Sequence, residues 1–355
     1  MPRRILLLNT DLEIGGTPTV VRELAWRLRD WAGAHVEVAG LGPTGPLQKQ
    51  LWARNVKCTA LGARGPRDFP RTLWRLLRLV KQERIDTVLS FLVHANTVAA
   101  ALRPLYPRAR YLQSIQTTQP NPRWHWRLQR LAAVAADRVI VPSPSIAAVA
   151  RRWAGVPAEK LVVIPNVVDP GDFRLTHVPP ARNQIRIGFL GRLDPIKRIP
   201  DLIAATSLLP PSFELHVFGD GPERPSIESE IARLNLAARV TLHGTIPRPQ
   251  DALAKIDLLV LPSAAEGFGL VLIEAMAAGV PVVASDAPGI RDVVRNGETG
   301  LLVPVGAPAE LARAIERISS DARLRNQLII AGRADVDRCF SWQGVWSAYQ
   351  DVLRL

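Results

Sequence analysis

What most constrains this chain is a rhythm of short apolar runs and helix-length segments that breaks once and then resumes. "RILLLN", "HVEVAGL", "DTVLSFL", "RYLQSI", "RVIVPS" and "LVVIPN" read as strands, with helical patterns such as "RTLWRLLRLVKQE" and "HANTVAAALRPL" between them. Strands alternating with helices imply parallel sheet built from βαβ units. The stretch "VVDPGDFRLTHVPPARNQ" is proline-rich and has little periodicity, so it is read as a linker. The rhythm then restarts with "IRIGFLG", "ELHVFGD", "VTLHG", "DLLVLPS" and "VPVVASD". The expected fold class is α/β, with two tandem doubly wound (Rossmann-like) domains over residues 1–172 and 173–339. Ligands of such sheets sit at the carboxyl ends of the strands, here in a cleft between the domains.

Composition narrows the class of protein. Cys58 and Cys339 are the only cysteines, too few for a disulfide framework or a cysteine-based metal site. The opening "MPRRILLLNTD" has an apolar run shorter than the roughly 7–15 residues of a signal peptide. No run approaches the ~20 apolar residues of a spanning helix. A cytoplasmic chain, at most peripheral to a membrane, is expected. The net charge of +13 is confined to one half. Residues 1–172 hold 25 Lys and Arg against 12 Asp and Glu, and residues 173–355 hold 20 against 20. That asymmetry implies that the first half faces something anionic.

Several strand-to-helix loops carry chemistry. In "LLVLPSAAEGFGLVLIEAMAAG", Gly267 and Gly269 let the backbone approach a ligand, and the helix start offers unpaired N–H groups to an anion. Glu266 lies in the loop and Glu274 in an otherwise apolar helix. Carboxylates are acceptors, and hydroxyl groups are their natural partners in a dry cleft. A phosphate at the helix end with hydroxyls on either side describes a sugar nucleotide. The spacing alone suits equally a Glu266 that complements the helix dipole and a Glu274 that meets an arginine. "GRLDPIK" brings Arg192 and Lys197, which either converge on a diphosphate or sit in water. Gly219 and Gly221 lie in a third such loop, more simply read as a tight turn with Pro222 near the helix start, and Gly15 and Gly16 stand between the first strand and the first helix.

Together these blocks resemble family 4 of the glycosyltransferases, which have the two-domain GT-B architecture. The resemblance covers nearly the whole chain. It is carried by "EGFGLVLIEAMAAGVPVVASDAPGIRDVVRNGETGLLVP", with glutamates separated by seven residues, and by "GRLDPIK", "FGDGP", "ADRVIVPSPS" and "VVIPNVVD". It implies that the second domain binds the donor, a UDP- or GDP-sugar. Glu266 would meet the donor sugar and Glu274 the ribose. The backbone of Gly267, Phe268, Gly269 and Leu270 would touch sugar and phosphate. Arg192 and Lys197 would hold the diphosphate, Gly16 would close over it, and Ile246 would offer backbone groups to the base. The C-terminal segment 340–355 resembles the family's helix that returns to the first domain. The implied reaction is retaining glycosyl transfer with no cofactor. No Asp-x-Asp follows a donor-site strand, and Asp335 and Asp337 read as solvated surface, so no metal is expected.

Departures from the family also matter. Gln116 stands where a histidine is usual, which removes a proton carrier but keeps a hydrogen-bonding group. Val167 replaces the usual glycine of "PNVVD". His94, after "SFLV", is an acceptor-side candidate or a structural group. In the basic half, Arg71, Arg75 and Arg78 share a helix face. Arg123, Arg127 and Arg130 repeat that spacing, with Trp124 and Trp126 among them. Basic faces with tryptophans favour anionic membrane surfaces, whereas the ordinary alternative is a solvated face. The acceptor expected is a membrane-anchored lipid or lipid-linked glycan used in cell-surface synthesis. The rivals are a GT-B nucleotide-sugar epimerase and a non-enzymatic anionic-surface binder. No nucleic-acid module is present in the sequence.

Overall fold

The computed structural model describes residues 2–13, 15–118, 122–173 and 184–355. It has two compact units: one runs to Pro165 and takes in Trp346–Leu355, and the other is Asn166–Val345. In the first unit the order is β1 (Arg4–Asn9), α1 (Gly16–Ala32), β2 (His35–Gly40), α2 (Pro46–Trp52), β3 (Lys57–Ala60), α3 (Phe69–Gln82) and β4 (Thr87–Phe91). There follow α4 (Leu92–Leu102), β5 (Arg110–Ser114), α5 (Arg123–Val134), β6 (Arg138–Val141), α6 (Pro144–Ala154) and β7 (Leu161–Val163).

These seven strands form one parallel sheet in the order β3-β2-β1-β4-β5-β6-β7. From β1 the chain steps outward to β3, returns to β4, and then proceeds to β7. Right-handed crossovers therefore put α1 and α2 on one face and α3, α4, α5 and α6 on the other. The latter four pack side by side in that sequence. A parallel sheet covered on both faces needs strands apolar on both sides, and Leu6, Leu7 and Leu8 are all fully buried. Leu76 and Val80 of α3 pack with Leu6, Leu8 and Val88 in one core cluster, while Trp126 of α5 belongs to another with Ile146 and Ala150.

The second unit contains β8 (Ile185–Leu190), α7 (Ile199–Leu208), β9 (Phe213–Phe218), α8 (Arg224–Arg233), β10 (Val240–Gly244), α9 (Pro249–Leu253) and β11 (Leu258–Leu261). It continues with α10 (Leu270–Ala278), β12 (Val282–Ser285), β13 (Leu301–Val303), α11 (Pro308–Ser320) and α12 (Ala322–Cys339). Its parallel sheet is ordered β10-β9-β8-β11-β12-β13 around one large apolar core. The final helix, α13 (Trp342–Leu353), is shared: residues 342–345 count with the second unit and the remainder with the first.

Some elements escaped the sequence reading. The strands β3 and β13 have four and three residues and α2 has seven, too short to show a period. Part of the expected linker, residues 174–183, lies outside the described residues. The part before it is packed structure: Val168 pairs with Ser341, and Phe173 is buried in the second unit's core.

Candidate functional site

In each sheet the strand order reverses at one point, between β1 and β4 in the first unit and between β8 and β11 in the second. Ligands of doubly wound sheets bind outside the carboxyl ends of the strands at that switch. In the second unit, the two loops that leave the switch are residues 191–198 and 262–269. They carry Arg192, Lys197, Glu266 and Gly269.

Main-chain bonds hold these loops to each other and to the β12 loop. Ala264 N–H donates to the Ile196 carbonyl at 2.8 Å, and Glu266 N–H donates to the Pro288 carbonyl at 3.1 Å. Two close approaches require glycine. A Cβ on Gly289, whose φ is +84°, would lie 2.3 Å from the Glu266 carbonyl oxygen. One on Gly219 would lie 1.8 Å from that of Gly191. Such distances exclude any side chain, so "SDAPG" and "FGDGP" fix where the backbone of the site loops runs.

Lys197 Nζ donates to Glu266 Oε1 at 2.6 Å, and Ser263 Oγ donates to the same oxygen at 2.6 Å. The two charged side chains are 19% and 11% exposed, so this is a largely desolvated pair. Ser285 Oγ in turn donates to the Ser263 carbonyl, holding that loop to the end of β12. Lys197 commits one of its three donors here and has two for an anion. Arg192 is 70% exposed and donates through Nε to Asp194 at 3.0 Å. The sequence reading named Lys197 and Glu266 separately, but it missed their pairing and the part played by Ser263.

Gly269 caps α10 in the left-handed region at φ +82° and opens its N-terminus. Residues 272, 273 and 275–278 of this helix are buried. Leu270, Val271 and Glu274 form the half-buried stripe, and position 274 lies one turn beyond 270. Phe268 is buried, edge-on to Phe340 with centroids 5.7 Å apart. Ile246 is half-buried after the edge strand β10 and packs on the core.

In the first unit, Gly16 is the exposed first residue of α1. At the switch, β4 passes directly into α4 through Leu92, whose φ of +70° is unusual for a residue with a Cβ. His94 follows on α4, exposed and edge-on to His125 and Trp124, with centroids 5.3 and 6.0 Å away. Burial, with the nearby His94 charge adding to it, holds the His125 imidazole below its usual range. Gln116 is half-buried and donates to Ser114 Oγ at 2.8 Å.

Two expectations are corrected. Trp126 is not a membrane contact, because it is 5% exposed and packs in the core between α5 and α6. Asp335 is not solvated surface. It is 2% exposed and accepts from Arg295 and Arg338 at 2.7 and 2.8 Å, whereas Asp337 is exposed. Arg75 differs from its helix neighbours in donating to the Leu61 carbonyl, while Arg71 and Arg78 are exposed.

Two doubly wound units, with a Lys–Glu pair at the second switch and a glycine-capped helix beside it, make up the architecture called GT-B. Residues 14–172 match the family model described as Glycosyltransferase Family 4, and residues 177–335 match that of Glycosyl transferases group 1. The chain belongs to the family 4 glycosyltransferases. It is 34% identical over 164 residues to the lipopolysaccharide core biosynthesis glycosyltransferase LpsE of Rhizobium meliloti, an alignment covering 46% of this chain and 48% of that one. It is 32% identical over 246 residues to the D-inositol 3-phosphate glycosyltransferase of Nocardia farcinica, covering 61% and 53%. The chain thus spans about half the length of these curated relatives. The crystal structure of HepE from Anabaena in complex with UDP and glucose has the same fold, with a TM-score of 0.90, 23% identity and 99% of both chains covered.

Proposed function

We propose that this chain is a retaining glycosyltransferase that moves a sugar from a nucleotide-diphosphate sugar to a membrane-anchored lipid or lipid-linked glycan. The observation that carries this reading is the Lys197–Glu266–Ser263 cluster, set at a topological switch beside the N-terminus of α10. A diphosphate there meets Lys197, the exposed Arg192 and the first N–H groups of α10. These groups favour the charge that develops on the leaving diphosphate, and they are in place before reaction. Glu266 accepts from hydroxyls of the donor sugar and Glu274 from the ribose. The bond from the anomeric carbon to phosphate oxygen breaks while the acceptor oxygen bonds to that carbon from the same face. The acceptor proton passes to the leaving phosphate, so no protein base is assigned. The cations Lys197 and Arg192 take the place of a metal on the diphosphate.

In the first unit, Gly16 and His94 lie by the switch, and Gln116 lies in the loop after β5. We assign His94 and Gln116 to the acceptor side. LpsE is by name an enzyme of lipopolysaccharide core synthesis, which supports a cell-surface role. UDP-glucose is the first donor to test, because HepE was also crystallised with it. With a competent acceptor, Glu266→Ala lowers turnover far more than it weakens binding of UDP alone. Near-full turnover in that variant defeats the donor-sugar assignment. Transfer survives EDTA, and activity lost on chelation and restored by Mg²⁺ or Mn²⁺ defeats metal independence. Epimer formed from donor without acceptor would place the chain in a different class of reaction.

A further inference from the structure

Helices α3, α4, α5 and α6 form one continuous layer on one face of the first sheet, and they contain nine lysines and arginines but no aspartate or glutamate. Surface helices ordinarily mix signs, as α1 does on the opposite face, where Arg29 bonds the neighbouring Asp30. Nor is the cationic layer uniformly polar on its outer side. On α5, Trp124 is 50% exposed, Leu131 70% and Val134 78%. At 100° per residue these three, with Arg123, Arg127 and Arg130, fall within an arc of about 120°. The opposite arc, with Trp126, Gln129 and Ala133, is buried. On α3, Trp74 is 59% exposed and has the Arg78 guanidinium over its ring at 5.8 Å.

From this juxtaposition we infer that the outer face of the α3–α6 layer is a bilayer-docking surface. In it the apolar stripe of α5 enters the headgroup region and the flanking arginines hold lipid phosphates. The inference rests on the acceptor being membrane-bound, and it names the surface by which the chain reaches it. Charge complementarity selects the occupant. A second copy of this face would set one cationic layer against another, whereas an anionic leaflet neutralises it. The apolar residues add what arginines alone do not supply, namely burial of side chains among acyl chains, which salt does not screen. Basic residues alone give binding that vanishes with salt. This face gives binding that salt weakens but leaves measurable.

The test uses the full chain with Cys339→Ser. Cys58 is buried, with its thiol pushed up to about 12 by that burial, and does not label. An environment-sensitive dye is placed at Leu131→Cys or, as a control on the second unit, at the exposed Ile330→Cys. Vesicles of phosphatidylglycerol and phosphatidylethanolamine are compared with vesicles of phosphatidylcholine. The expected result is a blue shift of the dye at 131 but not at 330, much larger with anionic vesicles than with neutral ones. The double variant Leu131→Ser, Val134→Ser should lower the partition coefficient at least tenfold and leave turnover of a soluble acceptor analogue unchanged. If the chain binds vesicles but the dye at 131 does not respond and the double variant binds normally, this face is the wrong one and the membrane acceptor stands. If no vesicle binds and a soluble acceptor is used at full rate, both readings fall. A vesicle-free dimer that L131S/V134S dissociates would overturn the proposal in favour of a second copy.

Discussion

The outer helices of the second unit balance their own charge. On α8, Arg224 bonds Glu228 and Arg233 bonds Glu230; on α11, Arg313 bonds Glu310. On α3–α6 of the first unit, similar in architecture, no carboxylate is available for such a bond. Each pair one turn apart is worth only about 0.2–0.5 kcal/mol, so the fold tolerates either arrangement. Charge on a helix surface is therefore nearly independent of architecture, and a one-signed layer reports on what that layer meets. Away from the helix surfaces, both units hold a charged pair that is largely out of water, Arg27 with Glu23 in the first and Lys197 with Glu266 in the second, and only the second pair lies at a switch point.

Four measurements test this contrast. The largest effect should come from Gly219→Val, because a Cβ at that position would overlap the Gly191 carbonyl. Two-step thermal unfolding should show the transition of the second unit lost or lowered by 10 °C or more, at a cost of several kcal/mol. The transition of the first unit should stay in place. Next is Lys197→Ala, which should reduce kcat/KM by on the order of 10²-fold, as removal of a preorganised charge does. A loss of less than threefold would strip the pair of its assigned role.

Arg127→Glu separates surface charge from fold. The new carboxylate lies one turn from both Arg123 and Arg130, so Tm should rise by about 1–3 °C. Binding to anionic vesicles should nevertheless collapse. A fall in both would mean that Arg127 is structural.

The smallest effect is acid sensitivity of the second unit. His216 Nδ1 and His243 Nε2 are 2.9 Å apart, and burial holds both imidazoles below their usual range, with mutual repulsion adding at His243. The unfolded chain then binds more protons than the folded one as pH falls through about 6.5, so stability is full above that value and declines below it. Between pH 7 and pH 5 the Tm of the second unit should drop, and His243→Gln should reduce the drop. An equal drop in the variant would assign the effect elsewhere.

Much of the fold was legible because buried parallel strands are apolar on both faces and so stand out as runs. The site loops were legible because glycines and charged residues interrupt those runs at fixed places. What stayed hidden depends on distance along the chain. Lys197 and Glu266 are 69 residues apart, and nothing local to either indicates the other. Asp335 is bonded to Arg295 from 40 residues away, and its burial follows from that partner. The error at Trp126 was avoidable: residues two apart on a helix point about 200° apart, so Trp124 and Trp126 cannot share a face.

The shared helix α13 bears on the order in which the first unit is completed. Trp346 stacks edge-on to Trp31, Arg110 donates to the Val352 carbonyl, and Arg3 donates to the Arg354 carbonyl. All of these partners belong to the first unit, yet the 180 residues of Asn166–Val345 intervene in the chain. During synthesis the sheet of the first unit emerges early and must wait for Trp346–Leu355 before these contacts can form. A stop codon after Val345 would spare every strand of both sheets and still leave the unit that was made first unfinished.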